Sequence, residues 1–460
     1  MLPIPPRPHI AVLGGGITGL SAAWHLRQAG LAPIVFEHTA RVGGAIYTLR
    51  SGGWLHELGP NSLMEGAPEV AQFIAAAGLE DRRLYAAPEA KNRYIVRDGA
   101  PVRMPGSPTD FLTTSLFSPR AKLGLLGEPF RARGDADEDE SVADFVIRRL
   151  GEEFLDYAVN PFVGGVYAGD PRRLSVRDGF PKLHALEQEH GSLVRGAIAR
   201  RNSSGGPQGR MFSFSEGLEE LPRTLAASLG DAVRLETEIR TIRQHGTHWE
   251  LEFVSGGVVH HELFSDVICA LPADALARLH FEGVPQPARL EGLKQIEHPP
   301  VASVFLGYKR SQVAHPLDGF GVLVPEVENG RILGALFSSS LFPGRAPAGH
   351  VALTSFVGGT RQPELAALPE DELVQTVQRE LGRLLGTRGE PAFAHVHRWP
   401  RAIPQYTLGY RRHKETLAEF EASAPGLFIG GNCRDGISLA NCIAAGQRLA
   451  TAVSTRETAR

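Results

Sequence analysis

A glycine-rich turn between a short apolar strand and a helix constrains the fold more than any other feature. The strand pattern covers His9–Leu13, and the turn reads Gly14-Gly-Gly-Ile-Thr-Gly19. A helix pattern follows at Leu20–Ala29, and a second apolar strand at Pro33–Phe36. Such a β-α-β unit is typical of a parallel sheet. Its first glycine permits the tight turn, the second lets the backbone approach a pyrophosphate, and the third lets the helix pack closely.

An acidic residue stands where a nucleotide-binding unit needs one. Glu37 ends the second strand, eighteen positions after Gly19. A carboxylate at this place can accept hydrogen bonds from ribose hydroxyls, and the helix N-terminus attracts phosphate. The spacing therefore predicts a dinucleotide site with an unphosphorylated adenosine ribose, rather than a glycine turn without a ligand.

Composition excludes several classes of protein. The 460 residues carry 48 basic and 51 acidic side chains, a net charge of −3, so no strong field points to nucleic acid. Three cysteines give no disulfide framework and favour a reducing compartment. The first residues lack the apolar stretch of a signal peptide, and no uncharged apolar run is long enough to span a membrane. We expect a cytoplasmic protein.

Three further segments show which dinucleotide is bound. Arg41-Val-Gly-Gly44 follows the acidic residue, Glu57-Leu-Gly-Pro60 comes next, and Leu427-Phe-Ile-Gly-Gly-Asn432 precedes a helix pattern that runs from Ile437 to Val453. In this order they resemble the flavin-containing amine oxidase superfamily. The resemblance implies bound FAD, whose reduced ring would be stabilised by the positive end of the last helix.

Four more segments narrow the resemblance. They are Lys91-Asn-Arg93-Tyr94, Gly164-Gly-Val-Tyr-Ala-Gly-Asp170 with Leu174-Ser175 after it, Gly319-Phe-Gly-Val-Leu-Val-Pro325 and Ile403-Pro-Gln-Tyr-Thr-Leu-Gly409. With them, nearly the whole chain resembles the oxygen-dependent protoporphyrinogen and coproporphyrinogen oxidases. This implies a six-electron oxidation of protoporphyrinogen IX to protoporphyrin IX that uses O2 and yields H2O2, with coproporphyrinogen III as the alternative substrate. An amine oxidase and a non-catalytic FAD-binding scaffold remain open.

The resemblance implies two sets of site residues and no catalytic acid or base, because the flavin carries the redox chemistry. Arg93 would pair with a propionate, Phe320, Leu323 and Leu336 would line an apolar slot, and Gly165 would let the backbone approach the macrocycle. The residues expected to contact FAD are Gly14, Gly15, Gly16, Ile17, Thr18, Gly19, Glu37, His38, Arg41, Gly43, Gly44, Ala45, Leu58, Gly59, Pro60, Asn61, Ile239, Tyr406, Gly431, Ile437, Ser438 and Leu439.

The order of strand and helix patterns predicts an α/β fold with a discontinuous FAD-binding domain. This Rossmann-like domain is assigned to residues 1–100, 205–285 and 395–460. A helical domain is assigned to 101–204, with an N-cap at Ser141, and an α+β substrate-binding domain to 286–394. A homodimer is a further expectation.

Histidines, acidic residues and cysteines indicate no metal site and no covalent flavin. His260 and His261 are adjacent, and Asp135–Glu140 lacks the spacing and glycine of a calcium loop, so exposed histidines and a solvated acidic loop are expected. Relatives with a covalent flavin carry a cysteine just before the region that reads Trp399–Tyr410 here, and that region has none. We therefore predict non-covalent FAD, with Cys433 and Cys442 as small buried hydrophobes.

One apolar cluster has two interpretations. Phe111, Leu112, Leu116 and Phe117 lie between Asp110 and Arg120. They either pack in a core or contact the surface of a bilayer, where apolar area adds binding free energy. Because protoporphyrinogen is poorly soluble, transfer at a membrane would shield it from water. Peripheral membrane contact is therefore one expectation and core packing the other.

Overall fold

The computed structural model describes residues 9–66, 68–203 and 209–459. Its strands are β1 (His9–Leu13), β2 (Pro33–Phe36), β3 (Thr48–Ser51), β4 (Trp54–Glu57), β5 (Leu63–Met64), β6 (Arg83–Tyr85), β7 (Asn92–Arg97), β8 (Ala100–Arg103), β9 (Met211–Phe214), β10 (Val233–Arg234), β11 (Thr237–His245), β12 (His248–Ser255), β13 (Val258–Cys269), β14 (His280–Glu282), β15 (Val301–Lys309), β16 (Gly319–Leu323), β17 (Gly334–Leu336), β18 (His350–Gly358), β19 (Phe393–Trp399) and β20 (Leu427–Ile429).

The helices of the described residues connect and cover these strands. They are α1 (Ile17–Gln28), α2 (Pro68–Ala76), α3 (Pro108–Thr113), α4 (Pro119–Leu126), α5 (Val142–Arg149), α6 (Glu152–Phe154), α7 (Asn160–Tyr167), α8 (Val176–Gly179), α9 (Pro181–His190), α10 (Leu193–Ser203), α11 (Glu220–Leu229), α12 (Ala273–Leu276), α13 (Ser338–Leu341), α14 (Glu370–Leu385), α15 (Arg411–Ser423) and α16 (Leu439–Thr458). None of them combines the length and apolar character that crossing a membrane requires.

The first sheet carries the predicted β-α-β unit at its centre. Its strand order is β10-β2-β1-β13-β12-β11-β14, and β20 pairs with β13. β1 runs parallel to β2 and to β13, and β20 runs parallel to β13. Four residues of β1 and all of β2 are buried, as parallel strands covered on both faces require. The carboxyl ends of β1, β2 and β20 therefore meet at one edge, where open α/β sheets bind ligands.

The second sheet joins distant parts of the chain. Its order is β19-β15-β18-β17-β16-β7-β8, with β16 parallel to β7 and the other neighbours antiparallel. α14 has buried leucine and valine side chains at helical spacing and packs them into the core of this sheet. The predicted boundary at residue 100 is wrong, because it falls in the hairpin β7–β8, whose strands belong to this sheet. The boundary predicted at 204/205 lies outside the described residues.

The helical part between β8 and residue 203 has its own core. Ser141 caps α5 as predicted, since its Oγ accepts a hydrogen bond from the Asp144 N–H at 3.0 Å. Leu116 and Phe117 are buried, and the Phe117 ring stacks on Phe154 with centroids 4.5 Å apart. Phe111 packs partly against the same core, whereas Leu112 is 71% exposed. Core packing therefore accounts for three of the four cluster residues.

Candidate active site

The glycine turn after β1 forms an open cradle. Gly14 has φ +104°, and a Cβ there would lie 2.7 Å from the Ala270 carbonyl oxygen. A Cβ at Gly19 would collide with the Gly14 carbonyl oxygen, because α1 packs this closely on the turn. A Cβ at Gly16 would meet no described atom within 4 Å. The backbone at Gly16 is therefore open to a ligand, as a pyrophosphate requires.

A second glycine loop is hydrogen-bonded to the first. The Gly43 N–H donates to the Gly15 carbonyl oxygen at 2.8 Å, and Gly16 and Gly43 form a short parallel bridge. The Arg41 guanidinium donates to the Gly44 carbonyl oxygen at 2.7 Å and lies over the Tyr47 ring, 4.1 Å from its centroid. The two predicted glycine segments thus form one cradle, and Arg41 holds the second loop in shape.

Glu37 is fixed at the carboxyl end of β2. It is 6% exposed, and its carboxylate accepts hydrogen bonds from the Gly15 N–H at 2.8 Å and from the Thr39 N–H at 2.9 Å. The His38 side chain next to it is 77% exposed, with Nδ1 3.1 Å from Glu37 Oε1. Ile239 lies at a bulge of β11, two residues after Thr237, whose N–H donates to the Glu37 carbonyl oxygen. These residues form the ribose end of the predicted site.

The N-terminal ends of α1 and α16 lie side by side. Ile17 and Thr18 are buried in the first turn of α1, and Ser21 Oγ donates to the Ile443 carbonyl oxygen of α16 at 3.0 Å. Ser438 caps α16 by accepting from the Asn441 N–H at 3.1 Å. Its neighbours on either side, Ile437 and Leu439, are each partly buried. Two helix N-termini beside an open glycine loop suit an anionic dinucleotide.

Tyr406 is buried and holds the turn before α16 through hydrogen bonds of its hydroxyl group. It is 2% exposed and stacks on Tyr410 with ring centroids 4.1 Å apart. Its hydroxyl donates to the Asn432 carbonyl oxygen at 2.7 Å and accepts from the Gly436 N–H at 3.0 Å. The expectation that the Tyr406 ring contacts FAD therefore does not fit the structure, because Tyr410 and the surrounding core cover it. Gly431, in the same turn, is open: a Cβ there would meet no described atom within 4 Å.

Leu58–Asn61 is held against the second sheet. A Cβ at Gly59 would collide with the Ala45 carbonyl oxygen, so the two predicted segments touch. The Trp399 indole N–H donates to the Leu58 carbonyl oxygen at 2.8 Å, and the Asn61 amide donates to the Gly59 carbonyl oxygen at 3.0 Å, across Pro60. Sequence reasoning missed Trp399, although it begins the cysteine-free stretch Trp399–Tyr410.

Neighbouring strands bring the predicted substrate residues together. Arg93 of β7 pairs with Gly321 of β16, and Gly321 pairs on its other side with Leu336 of β17. The Arg93 guanidinium is exposed and lies 5.6 Å from the centroid of the Phe320 ring. Phe320 and Leu336 pack against one small cluster and, with Leu323, stay partly exposed. A cation at the rim of a partly exposed apolar surface can hold an amphipathic anion.

Gly165 faces a protein side chain rather than open space. A Cβ there would collide with Leu323 Cδ2, so the missing side chain makes room for Leu323. The expectation that Gly165 lets the backbone approach a substrate does not fit this structure. Its glycine instead allows α7 to approach β16, which sets where Leu323 lies in the slot.

Two of the family-like segments are hydrogen-bonded to each other. The Gln405 amide donates to the Tyr167 carbonyl oxygen at 2.8 Å, and the Ser175 N–H donates to the Tyr406 carbonyl oxygen at 2.8 Å. Asp139 adds to this junction by accepting from Ser175 Oγ at 2.5 Å and from the Gly409 N–H at 2.6 Å. The expectation of a solvated acidic loop at Asp135–Glu140 does not hold for Asp139, which joins the helical part to the Ile403–Gly409 segment.

The two predicted cysteines are buried thiols, and the adjacent histidine pair lies at the surface. Cys433 and Cys442 are buried, and burial raises the pKa of the Cys433 thiol to about 12 and that of Cys442 to about 11. Both are therefore protonated at neutral pH. His260 and His261 are exposed. No group of three or more histidine, cysteine or acidic side chains within residues 9–66, 68–203 and 209–459 could hold a metal ion.

Comparison with known proteins agrees with this geometry. The chain is 35% identical to protoporphyrinogen oxidase 2 of Arabidopsis thaliana over 96% of its length and 93% of the relative's. It is 28% identical to coproporphyrinogen III oxidase of Bacillus subtilis over 95% and 96% of the two chains. A crystal structure from Exiguobacterium sp. 255-15, assigned as a protoporphyrinogen oxidase, superimposes with a TM-score of 0.80 at 24% identity and covers 99% of this chain and 100% of its own.

The family profile spans almost the entire chain. The profile described as flavin containing amine oxidoreductase matches residues 17–454. The matched residues include α1, strands β7, β16 and β17 of the second sheet, and α16 up to Ser454 with the turn that caps it, while Gly14, Gly15 and Gly16 of the cradle lie just before the matched range. Bound FAD fits the open backbone at Gly16 and Gly431 and the paired helix N-termini. The protein belongs to the flavin-containing amine oxidoreductase family, with FAD as its cofactor.

Proposed function

We propose that this protein is an oxygen-dependent oxidase that removes six electrons from protoporphyrinogen IX to give protoporphyrin IX, with three O2 reduced to three H2O2. The observation that carries the proposal is the apolar surface of Phe320, Leu323 and Leu336 with the Arg93 guanidinium at its rim. A porphyrinogen has the matching chemistry, because a large apolar macrocycle carries propionate groups along one side. Relatives that are named for this reaction support it over nearly the whole chain.

Bound FAD would supply the two-electron oxidation in each of three rounds and would be reoxidised by O2. The chain's own residues orient the substrate. Arg93 would pair with a propionate, because a guanidinium forms strong charge-assisted hydrogen bonds with a carboxylate. The three apolar side chains would displace water from the macrocycle. No side-chain base is required, because the gain of aromaticity drives the loss of the pyrrole protons.

Coproporphyrinogen III is the second candidate substrate, supported by relatives named for it at 28% and 27% identity. It carries propionates where protoporphyrinogen IX carries vinyl groups. Burial of a carboxylate against an apolar surface is unfavourable without a charged partner. The apolar side chains of Phe320, Leu323 and Leu336 beside Arg93 therefore favour the vinyl-bearing substrate.

The experiment that tests the proposal compares the two substrates aerobically. Purified holoenzyme is mixed with each porphyrinogen while porphyrin fluorescence, O2 uptake and H2O2 are measured. We expect protoporphyrinogen IX to give the higher kcat/KM, with three O2 consumed for each porphyrin formed. A higher kcat/KM for coproporphyrinogen III would assign the alternative reaction. If the enzyme oxidised neither porphyrinogen, the proposed function would be wrong, while the family and the FAD cofactor would still stand.

An amine oxidase is less well supported by the aromatic side chains. Amine oxidases need an aromatic cage beside the flavin, and Tyr406 is the tyrosine among the residues expected to contact FAD. Tyr406 and Tyr410 stack on each other and are 2% and 1% exposed. Neither ring is free to form one wall of a cage.

We also propose that the helical part contacts a membrane surface through an exposed patch that shares only Leu112 with the predicted cluster. Its members are apolar residues of α3, α4 and the following turn, each at least two-thirds exposed: Leu112, Leu123, Leu126 and Phe130. Lys122 Nζ donates to the Leu112 carbonyl oxygen at 2.9 Å, which brings α4 beside α3. Exposed apolar side chains beside basic ones favour an anionic bilayer surface.

A further inference from the structure

One buried arginine lies in the loop before β18 of the second sheet and contacts β9, which is remote in sequence. Arg345 lies between α13 and β18 and is 2% exposed. Its Nη2 donates to Ser213 Oγ at 2.8 Å and to the Phe214 carbonyl oxygen at 3.1 Å, both in β9. Its own carbonyl oxygen accepts from the Leu55 N–H of β4 at 3.3 Å. Arg345 thus joins two parts of the chain that are far apart in sequence.

The charged partner of Arg345 begins the flavin-binding segment. Glu57 is the last residue of β4, directly before Leu58–Asn61, and is 4% exposed. Its Oε1 lies 3.5 Å from Arg345 Nη2 and accepts from the Leu218 N–H at 2.8 Å. Its Oε2 accepts from Thr48 Oγ1 at 2.7 Å. The carboxylate is therefore held on three sides, and through it the start of the segment.

A small cavity lies beside this pair. Its volume is about 10 Å³, and its wall includes Glu57, Arg345, Asn61 and Ser338. Nη1 of Arg345 is buried and has no hydrogen-bond partner among the described residues. A polar cavity of this size is near the lower limit for one water molecule. Leu341 and Phe342 also line the cavity and belong to the small cluster on which Phe320 and Leu336 pack, so the cavity adjoins the slot residues.

We propose that Arg345 and Glu57 are positioning residues whose buried pair fixes the Leu58–Asn61 segment, and with it FAD, relative to the strands of the porphyrinogen slot. The proposal deepens the proposed function and rests on FAD as the cofactor. Neither residue needs to touch FAD or substrate. Their effect is exerted through the backbone that follows Glu57 and through the β4 strand that Arg345 holds.

Loss of one partner should loosen the segment more than loss of both. An arginine cannot lose its proton, so Glu57→Gln leaves a buried cation without its counter-charge. Arg345→Met removes the cation and leaves a carboxylate that can bind a proton and become neutral. The double variant Glu57→Gln/Arg345→Met has lost both charges, so no buried charge of the pair is left without a partner.

The test measures FAD release from the holoenzyme. Each variant is diluted, and the rise of flavin fluorescence on release gives the rate and the apparent dissociation constant. Urea unfolding of the same samples measures stability. The matched control is Arg361→Met, which removes a partly buried arginine just after β18. Arg361 donates to the Val324 and Ile332 carbonyl oxygens, and neither of these contacts involves Leu58–Asn61.

We expect Glu57→Gln and Arg345→Met each to raise the FAD dissociation constant at least about tenfold, the effect of losing one charged hydrogen bond. The double variant should release FAD no faster than the faster single variant, and Arg361→Met should keep the wild-type constant even where it lowers stability. A wild-type constant in both single variants would overturn the proposal. So would an increase in Arg361→Met equal to theirs at equal loss of stability.

The readout also separates this proposal from the proposed function. A holoenzyme that binds FAD but oxidises no porphyrinogen would contradict the proposed function, while FAD release would still decide the role of the pair. Wild-type protein that binds no FAD would overturn both. If Arg345→Met does not fold, Arg345→Lys keeps a charge but loses the fork geometry, and the same increase is expected from it.

Discussion

At the scale of single residues, Arg93 is the most direct test of the substrate slot. Arg93→Ala should raise KM for protoporphyrinogen IX with a smaller change of kcat, because an anchor binds the ground and transition states alike. A propionate pair should contribute about 1–3 kcal/mol, which corresponds to a roughly five- to 150-fold rise of KM. Steady-state kinetics measure this.

The matched control for Arg93 is Arg103→Ala. Arg103 is exposed, and it pairs with Tyr94 in the same β7–β8 hairpin. Its loss should leave KM unchanged. An unchanged KM in Arg93→Ala, or equal increases in both variants, would remove Arg93 from the site.

The glycines of the cradle should separate ligand binding from folding. A methyl group at Gly16 would enter open space, at a φ of −72° that alanine adopts freely, so Gly16→Ala should fold normally but bind FAD more weakly. At Gly19 the same group would collide with the Gly14 carbonyl oxygen, so Gly19→Ala should be less stable. Urea unfolding and flavin content check both. If the two variants had equal stability and equal flavin content, the assignment of Gly16 to FAD binding and of Gly19 to helix packing would be wrong.

Residues such as Glu37 and the three cradle glycines could be predicted because their spacing is local. The contact between Arg345 and Glu57 could not be predicted, since no local pattern indicates a partner elsewhere in the chain. The burial of Tyr406 was missed for the same reason: its cover, Tyr410, is near in sequence, but the core around both rings is assembled from distant strands. Gly165 was correctly expected beside the slot residues, but its glycine makes room for Leu323 rather than for a substrate. The sequence cannot distinguish these two uses of a glycine.

At the scale of elements, the exposed apolar patch of α3 and α4 should mediate membrane contact. Replacing Leu123, Leu126 and Phe130 with serine should leave the fold intact and abolish flotation with anionic liposomes, because apolar area at the interface supplies binding free energy. Flotation in a density gradient measures this.

The contrasting variant is Phe111→Ser/Phe117→Ser. It should lower stability, because Phe117 is 4% exposed and stacks on Phe154. Wild-type protein that stays wholly soluble at low and high salt would rule out membrane contact. A triple variant that floats like wild type would place the contact elsewhere.

Elements were predicted well where periodicity was long and less well where a single residue interrupts it. The regular apolar spacing of Glu370–Leu385 predicts a helix, and the structure has this helix as α14. The apolar pattern of Val233–Glu238 predicts one strand, but the structure splits it into β10 and β11, since Glu236 adopts φ +49° between them. The pattern of Gly217–Leu229 predicts a helix, which begins only at Glu220, after Gly217 adopts φ +92°.

At the scale of the whole molecule, a histidine cluster should make stability depend on pH. His56 of β4 lies 3.0 Å from His395 of β19, between the two Nδ1 atoms, and 2.9 Å from Ser303 Oγ through Nε2. Burial, then the neighbouring His395 and His397, hold the pKa of His56 well below its usual 6.5. Burial also lowers the pKa of His395 and His397.

Below about pH 6.5 the unfolded chain therefore binds protons that the folded chain does not, so the free energy of unfolding should fall as the pH falls. Glu57 has the opposite effect on stability between pH 4.5 and 7. Burial raises its pKa to about 7, so the folded chain binds a proton that the unfolded chain does not, and this group raises the free energy of unfolding as the pH falls. His56→Gln isolates the histidine contribution. Urea unfolding at pH 7.5 and 5.5 should show a smaller loss on acidification in His56→Gln than in wild type. Equal losses would contradict the cluster's role.

The proposed function requires that a porphyrinogen reduces the bound flavin. The direct measurement is anaerobic mixing of the holoenzyme with protoporphyrinogen IX while the visible flavin absorbance is recorded, with a primary amine mixed in parallel. We expect the flavin band to bleach with the porphyrinogen, to stay unchanged with the amine, and to return when O2 is admitted. A flavin that the amine bleaches, or that neither compound bleaches, would contradict the proposed function.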